Sequence, residues 1–212
     1  KKKKKMNFVE GGDWKSRLKA YENIIQMMVN PTPELINQLQ NQLPTYLADV
    51  NPTCQKTALT ICDLFFKASQ QIDYKDISRA LIERCLGARK QNSDAAVPLV
   101  LQCLKNNSEM VTDMLFYKLP TKSPKHITAV ISVVVSYLAS LTSKDSDEAM
   151  DLMQRLTPLL SHNDQTIQKE ASAAIASAKI VCGFDLDTID LTQSKSPHKE
   201  SGSPSKASGF LD

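Results

Sequence analysis

The 212-residue chain is poor in the residues that punctuate β-structure: it has only six glycines, and aromatic residues make up 6%. That balance suits an aliphatic, all-helical domain better than a sandwich or a barrel. No apolar run approaches the roughly 20 residues of a membrane-spanning helix, and no signal peptide is visible, so no membrane partner is expected. Cys54, Cys62, Cys85, Cys103 and Cys182 are scattered, with no close C-x-x-C pair. An odd count without pairing signatures points to a reducing compartment, with Cys62, Cys85 and Cys103 as small hydrophobes on apolar helix faces. His126, His162 and His198 stand apart from one another and from the cysteines, and His162 with Asp164 supplies too few ligands for a zinc site. There is no Ser/His/Asp constellation and no Gly-rich phosphate loop, so neither an enzyme nor a cofactor is expected. Positive charge is also scarcer than the formal +3 suggests. Residues 1–5 are all lysine, and the remainder carries a net charge of about −2. The lysine run is open to three readings: a flexible linker end, which is favoured, a patch for nucleic acid or a microtubule surface, or an added leader. The body is not basic, and no nucleic acid is expected as partner. The first residue is Lys1, as expected of a fragment or a processed chain.

What is present is aliphatic and helically spaced. From Leu18 onward Tyr21, Ile24, Ile25 and Met28 recur at three- and four-residue steps, one apolar stripe of a helix. Asp13 is placed to cap it, which puts Trp14, the only tryptophan, on the first turn at the mouth of a helix-to-helix turn. Two readings stay open for Trp14: a plug at the end of the core, or an exposed contact of the kind enriched in interface hot spots.

That helix is expected to end near Asn30-Pro31. Residues 33–49 put Leu35, Ile36, Leu39, Leu43 and Leu47 on one face, with a kink expected at Pro44. Residues 53–72 form a long helix with Ala58, Ile61, Cys62, Phe65 and Phe66 inward, and Asp73 caps a shorter one carrying Ile77, Leu81 and Cys85. After a turn at 87–92, Ser93 caps a helix with Val97, Val100, Leu101 and Leu104 inward and Pro98 near its start, and residues 108–118 form a further short helix. Residues 119–125 read as a basic, proline-marked turn, with Pro124 at the first helical position after a Ser123 cap. The β-branched run in 126–142 tempts a strand assignment, but its length and three/four spacing decide for helix. Helices at 145–161 and 165–182 follow, and Gly183 stops the last.

Trp14, Asn51, Arg89, Ser123 and Asn163 mark turns that each lead into a helix, at spacings of 37, 38, 34 and 40 residues. This is the period of paired-helix repeats of the HEAT type. The predicted fold is therefore all-α: an α-solenoid of about five HEAT-like helical pairs over residues 13–183. A basic flexible leader at 1–12 precedes it, and a disordered, Ser/Lys/Pro-rich tail at 184–212 follows. Stacking lines the within-pair turns along one edge. The resulting ridge carries Trp14 and Lys15, then Val50 and Asn51, then Arg89 and Lys90, then Lys122 and Lys125, then Lys169.

Asp13-Trp14-Lys15-Ser16-Arg17-Leu18-Lys19-Ala20-Tyr21-Glu22 resembles the opening Trp-Lys-x-Arg-x-x-x-Tyr/Leu-Glu motif of TOG domains. These are tubulin-binding HEAT modules of the microtubule polymerase family that includes ch-TOG. Lys122-Ser123-Pro124-Lys125 is similar to that family's fourth-turn Lys-Asn-Pro-Lys, and Asp49-Val50-Asn51 to its second-turn Asp-x-Asn. The resemblance covers residues 13 to about 183, is closest to the family's first TOG domain, and departs from it at Gln168, where an arginine is usual. It implies an αβ-tubulin or microtubule partner, a monomeric domain and a place in the cytoplasm on the microtubule cytoskeleton, at the spindle or centrosome. It further implies Trp14 and Lys15 against β-tubulin, Asn51, Arg89 and Lys90 mid-ridge, and Lys122, Lys125 and Lys169 toward α-tubulin. Tubulin is strongly acidic, which fits an interface anchored by tryptophan and steered by lysines. The other reading is a HEAT scaffold or adaptor for a different protein. In the tail, Ser196 and Ser203 each open a Ser-Pro-x-Lys pattern preferred by proline-directed kinases, and residues 184–191 read either as a segment docking back on the domain or as plain linker.

Overall fold

The computed structural model describes residues 12–183. Most of the predicted leader, the tail, the segment 184–191 and the candidate phosphorylation sites Ser196 and Ser203 lie outside the described residues. Within them the chain is a succession of helices: α1 Trp14–Met27, α2 Pro33–Leu47, α3 Pro52–Ala68, α4 Tyr74–Ala80, α5 Lys90–Asn106, α6 Ser108–Phe116, α7 Pro124–Leu138, α8 Ser146–Leu156 and α9 Gln165–Val181. A π-helical turn, Leu81–Cys85, extends α4, and a 3-10 turn, Thr157–Ser161, extends α8.

The helices form two layers. In one, α1, α3, α5, α7 and α9 pack in sequence; in the other, α2 packs on α4 and α4 on α6, while α8 packs on α9. Arg155 of α8 reaches Asp113 of α6 at 2.8 Å. The core between the layers is continuous, and Leu39, Leu43, Ile61, Phe65, Ile77 and Val130 are wholly buried in it. Cys54, Cys62, Cys85 and Cys103 are buried free thiols. Burial pushes Cys85 up to about 12 and Cys103 up to about 11, so both stay protonated as hydrophobes.

Several boundaries differ from the sequence expectation, each for a local reason. The helix expected to reach residue 72 ends at Ala68. Gln40 of α2 holds the link that follows, donating to the Asp73 carbonyl at 2.7 Å and accepting from its amide at 3.1 Å. Ser93 does not cap α5, which begins earlier, at Lys90; the Ser93 hydroxyl instead donates to the Leu86 carbonyl at 2.6 Å. Pro98 therefore lies inside α5 rather than near its start, and Pro44 likewise lies inside α2 without interrupting it. Each proline removes one backbone donor, and side-chain packing keeps the helix. Ser123 sits at the N-cap of α7 but makes no side-chain cap bond.

The first-layer helices enter from the same edge. The Cys54 thiol near the start of α3 donates to the Trp14 carbonyl at the start of α1, at 3.2 Å. Asn92 near the start of α5 donates to the Pro52 carbonyl at the start of α3, at 3.0 Å. The starts of α5 and α7 share one hollow of about 380 Å³, lined by Lys90, Ser93, Lys125 and Thr128 among others.

Candidate functional site

This shared edge is a ridge of turns built around helix N-termini. At the first turn Asp13 caps α1 through the Ser16 amide at 2.8 Å, and that bond holds its carboxyl below the usual range. Trp14 follows at the first helical position and is 42% exposed, so it stands out from the core rather than plugging it. The Lys15 ammonium lies 5.9 Å from the Trp14 ring centroid, an exposed cation–aromatic pair.

The second turn is tied directly to the first. Asp49 accepts from Arg17 Nε at 2.8 Å and Nη2 at 3.0 Å, from the Tyr21 hydroxyl at 3.1 Å and from the Asn51 amide at 2.8 Å. Burial alone would raise its carboxyl; Arg17, the Asn51 amide and Tyr21 together outweigh that and hold it below the usual range. The Asp49 carboxylate pushes the Arg17 guanidinium upward, so the Arg17–Asp49 pair stays ionised, while burial and the Asp49 charge push the Tyr21 hydroxyl upward and keep it neutral. With Asp49 pinned, Val50 projects at the apex, 92% exposed. Asn51 has a structural duty as well: its side-chain oxygen caps α3 by accepting from the Thr53 and Cys54 amides at 2.9 and 3.2 Å.

A buried amide network joins the second turn to the third. Asn92 donates to Gln55 Oε1 at 2.8 Å, and Gln55 Nε2 donates to the carbonyls of Leu47 and Arg84 at 3.1 and 3.0 Å. Buried amides so satisfied fix relative position. Arg89 and Lys90 stand exposed above this network. Lys90 lies 3.3 Å from Asp94, a solvent-screened pair of little energetic weight.

At the fourth turn Lys122 and Lys125 are exposed, and neither forms an ion pair among the described residues. Beneath them His126 is buried against Gly87, where an added Cβ would sit 3.2 Å from the imidazole Nδ1. Burial first, then the Lys122 charge, lowers the His126 pKa, against a weaker upward pull from Glu83. Beside this turn opens a hollow of about 600 Å³, lined by Ile82, Met110, Met114, Tyr117, Lys122 and His126 among others. At the fifth turn Asp164 caps α9 through the Thr166 amide at 2.8 Å. Gln168 turns inward and donates to the His162 carbonyl at 2.6 Å, leaving Lys169 as the exposed cation there.

The structure thus places Trp14, Lys15, Val50, Asn51, Arg89, Lys90, Lys122 and Lys125 at the linked starts of α1, α3, α5 and α7, and Lys169 near the start of α9. Sequence reasoning missed what sets their spacing, the Arg17–Asp49–Tyr21 cluster and the Gln55–Asn92 network. Arg17 and Asp49 both stood inside the quoted motifs, but nothing local signals that they meet. Sequence reasoning also missed Tyr117, which is 62% exposed at the fourth turn. Among the described residues, no group of three His, Cys, Asp or Glu side chains is placed to hold a metal ion, and no helix is long and apolar enough to cross a membrane.

A two-layered stack of helical pairs, with capped turns along one edge, defines a helical-repeat scaffold of the HEAT type. The family model described as XMAP215/Dis1/CLASP, TOG domain matches residues 10–195, and the chain belongs to that family. TOG domains of this family are tubulin-binding modules of microtubule-associated proteins, microtubule polymerases among them, and not enzymes. No curated protein matches the chain significantly.

Proposed function

We propose that this domain binds the αβ-tubulin dimer through its ridge of turns, as a module of a microtubule polymerase or regulator on the cytoskeleton. The observation that carries the reading is the exposure, on one edge, of Trp14, Val50 and a line of cations. A general HEAT adaptor has no need of this alignment, whereas a strongly acidic partner does.

In this reading Trp14 and Lys15 seat one end of the ridge on β-tubulin. Val50, Asn51, Arg89 and Lys90 follow at mid-ridge, and Lys122, Lys125 and Lys169 steer the far end toward α-tubulin. The aromatic anchor supplies affinity and the lysines supply association rate and orientation.

Gel filtration with unpolymerised tubulin tests the reading, with Trp14→Ala run alongside. The native protein should co-elute with tubulin, and Trp14→Ala should bind roughly 30-fold more weakly, the loss of about 2 kcal/mol typical of an aromatic hot spot. Its melting temperature should stay near that of the native protein, because Trp14 lies outside the core. Native protein that does not co-elute, or a Trp14→Ala variant that melts early yet binds when folded, contradicts the assignment.

A further inference from the structure

The fourth turn holds a second exposed aromatic. Tyr117 follows directly on α6 and is 62% exposed. The next residue, Lys118, has φ 51° and ψ 30°, the left-handed conformation, and among the described residues it is the one non-glycine with positive φ. That conformation is unfavourable for a lysine. It lets the chain leave α6 sharply enough to bury Leu119, while the Lys118 carbonyl accepts from the Thr121 amide at 3.0 Å and hydroxyl at 2.8 Å. Tyr117 is left outside, with the Lys118 ammonium 5.3 Å from its ring centroid. The arrangement repeats that of Trp14 and Lys15: an exposed ring with a lysine over it at the mouth of a turn.

The charge around it is of one sign along the chain. From Met114 to Lys144 there is no Asp or Glu, while Lys118, Lys122 and Lys125 surround the turn. Acidic groups do stand nearby in space, since Glu83, Glu109 and Asp113 line the hollow that Tyr117 and Lys122 rim. An acidic partner surface would meet Tyr117 with the Lys118 ammonium over its ring and Lys122 on the same rim.

We infer that Tyr117 is a second aromatic anchor of the ridge, seated on an acidic tubulin surface with its ring on apolar side chains between carboxylates that Lys118 and Lys122 meet. This rests on the tubulin reading above and adds to it a salt-resistant contact at the end of the ridge that otherwise carries only lysines. The lysines act through long-range charge and govern association. A ring buried on docking acts at short range and governs dissociation.

The test is binding of the full chain to free tubulin dimer, read as association and dissociation rates at low and high salt, with melting temperature recorded for every variant. Tyr117→Ala should raise Kd about tenfold or more, through faster dissociation, at both salt concentrations and without lowering the melting temperature. Tyr117→Phe, which keeps the ring, should bind like the native protein. Tyr117→Glu, a polar residue at an exposed position, guards against a folding artefact and should be at least as impaired as Tyr117→Ala. Lys118→Gly should relieve the left-handed strain, and losing that charge should slow association while leaving dissociation unchanged. Native protein that binds while Tyr117→Ala and Tyr117→Glu bind equally well would overturn the anchor and leave the tubulin reading standing. Native protein that does not bind tubulin would overturn the tubulin reading and the anchor together. Binding of the native protein unchanged by Trp14→Ala but lost with Tyr117→Ala would keep the anchor and remove the first turn.

Discussion

Asp49→Ala tests whether the first two turns are held as one unit. The substitution removes a carboxylate that is 3% exposed and accepts four hydrogen bonds, two from Arg17 and one each from Tyr21 and the Asn51 amide. A hydrogen bond to a charged group contributes about 1.5–3 kcal/mol, and losses within one network do not add. Arg17 lies near the surface and regains water once released, which lowers the cost further. The expected loss is about 2–3 kcal/mol, which lowers the melting temperature of a domain of this size by roughly 5–10 °C. Tubulin binding should weaken as well, because Trp14 and Val50 lose their fixed spacing. The pH dependence has a definite sign. The Asp49 pKa is held down in the folded protein, so its contribution is complete above the ordinary carboxylate range and disappears as pH falls through the folded value. Thermal melts of native and Asp49→Ala proteins should therefore differ at pH 7 and converge below about pH 4. Melting temperatures equal within about 1 °C at pH 7, or a gap that widens on acidification, would refute the idea that this carboxylate locks the turns.

The double reversal Lys122→Glu with Lys125→Glu should slow association with tubulin far more than it speeds dissociation. The difference from native protein should shrink above 0.1 M salt, where screening acts over about 10 Å; rates unchanged at low salt would remove the fourth-turn lysines from the encounter. His126 gives a second acid sensitivity. Its folded pKa lies below 6.5, so the unfolded chain binds more protons beneath that pH and stability should fall as pH drops from 7 to 5.5. The buried imidazole faces Gly87, with Lys122 lowering and Glu83 raising its affinity for the proton. His126→Gln should flatten the melting temperature over that range, and an equal slope in both proteins would exclude His126 as the cause.

The positions and spacing of the helices were legible in the sequence because their determinants are local. Three/four periodicity marked each apolar face, and Asp13, Asn51, Asp73 and Asp164 sit where capping residues belong, each accepting a backbone amide at a helix start. The repeat period then implied a single edge for the turns, and the starts of α1, α3, α5 and α7 do share one. The boundaries at Ala68 and Lys90 were not legible, since Gln40 sets the first from another helix and the buried Asn92 network orders the turn before the second. Periodicity also left open whether Trp14 faced in or out, because a first-turn residue can do either until its neighbours are placed.

What tertiary structure alone decided is how the turns are joined and what they show to solvent. Arg17 meets Asp49 across 32 residues, Asn92 meets Gln55 across 37, and the Cys54 thiol meets the Trp14 carbonyl across 40. No periodic signal encodes such pairs, because each forms only when one repeat stacks on the next. Tyr117 belongs with them. Its outward position follows from burying Leu119 and accepting a left-handed Lys118, a choice forced by the packed core rather than by the residues beside it.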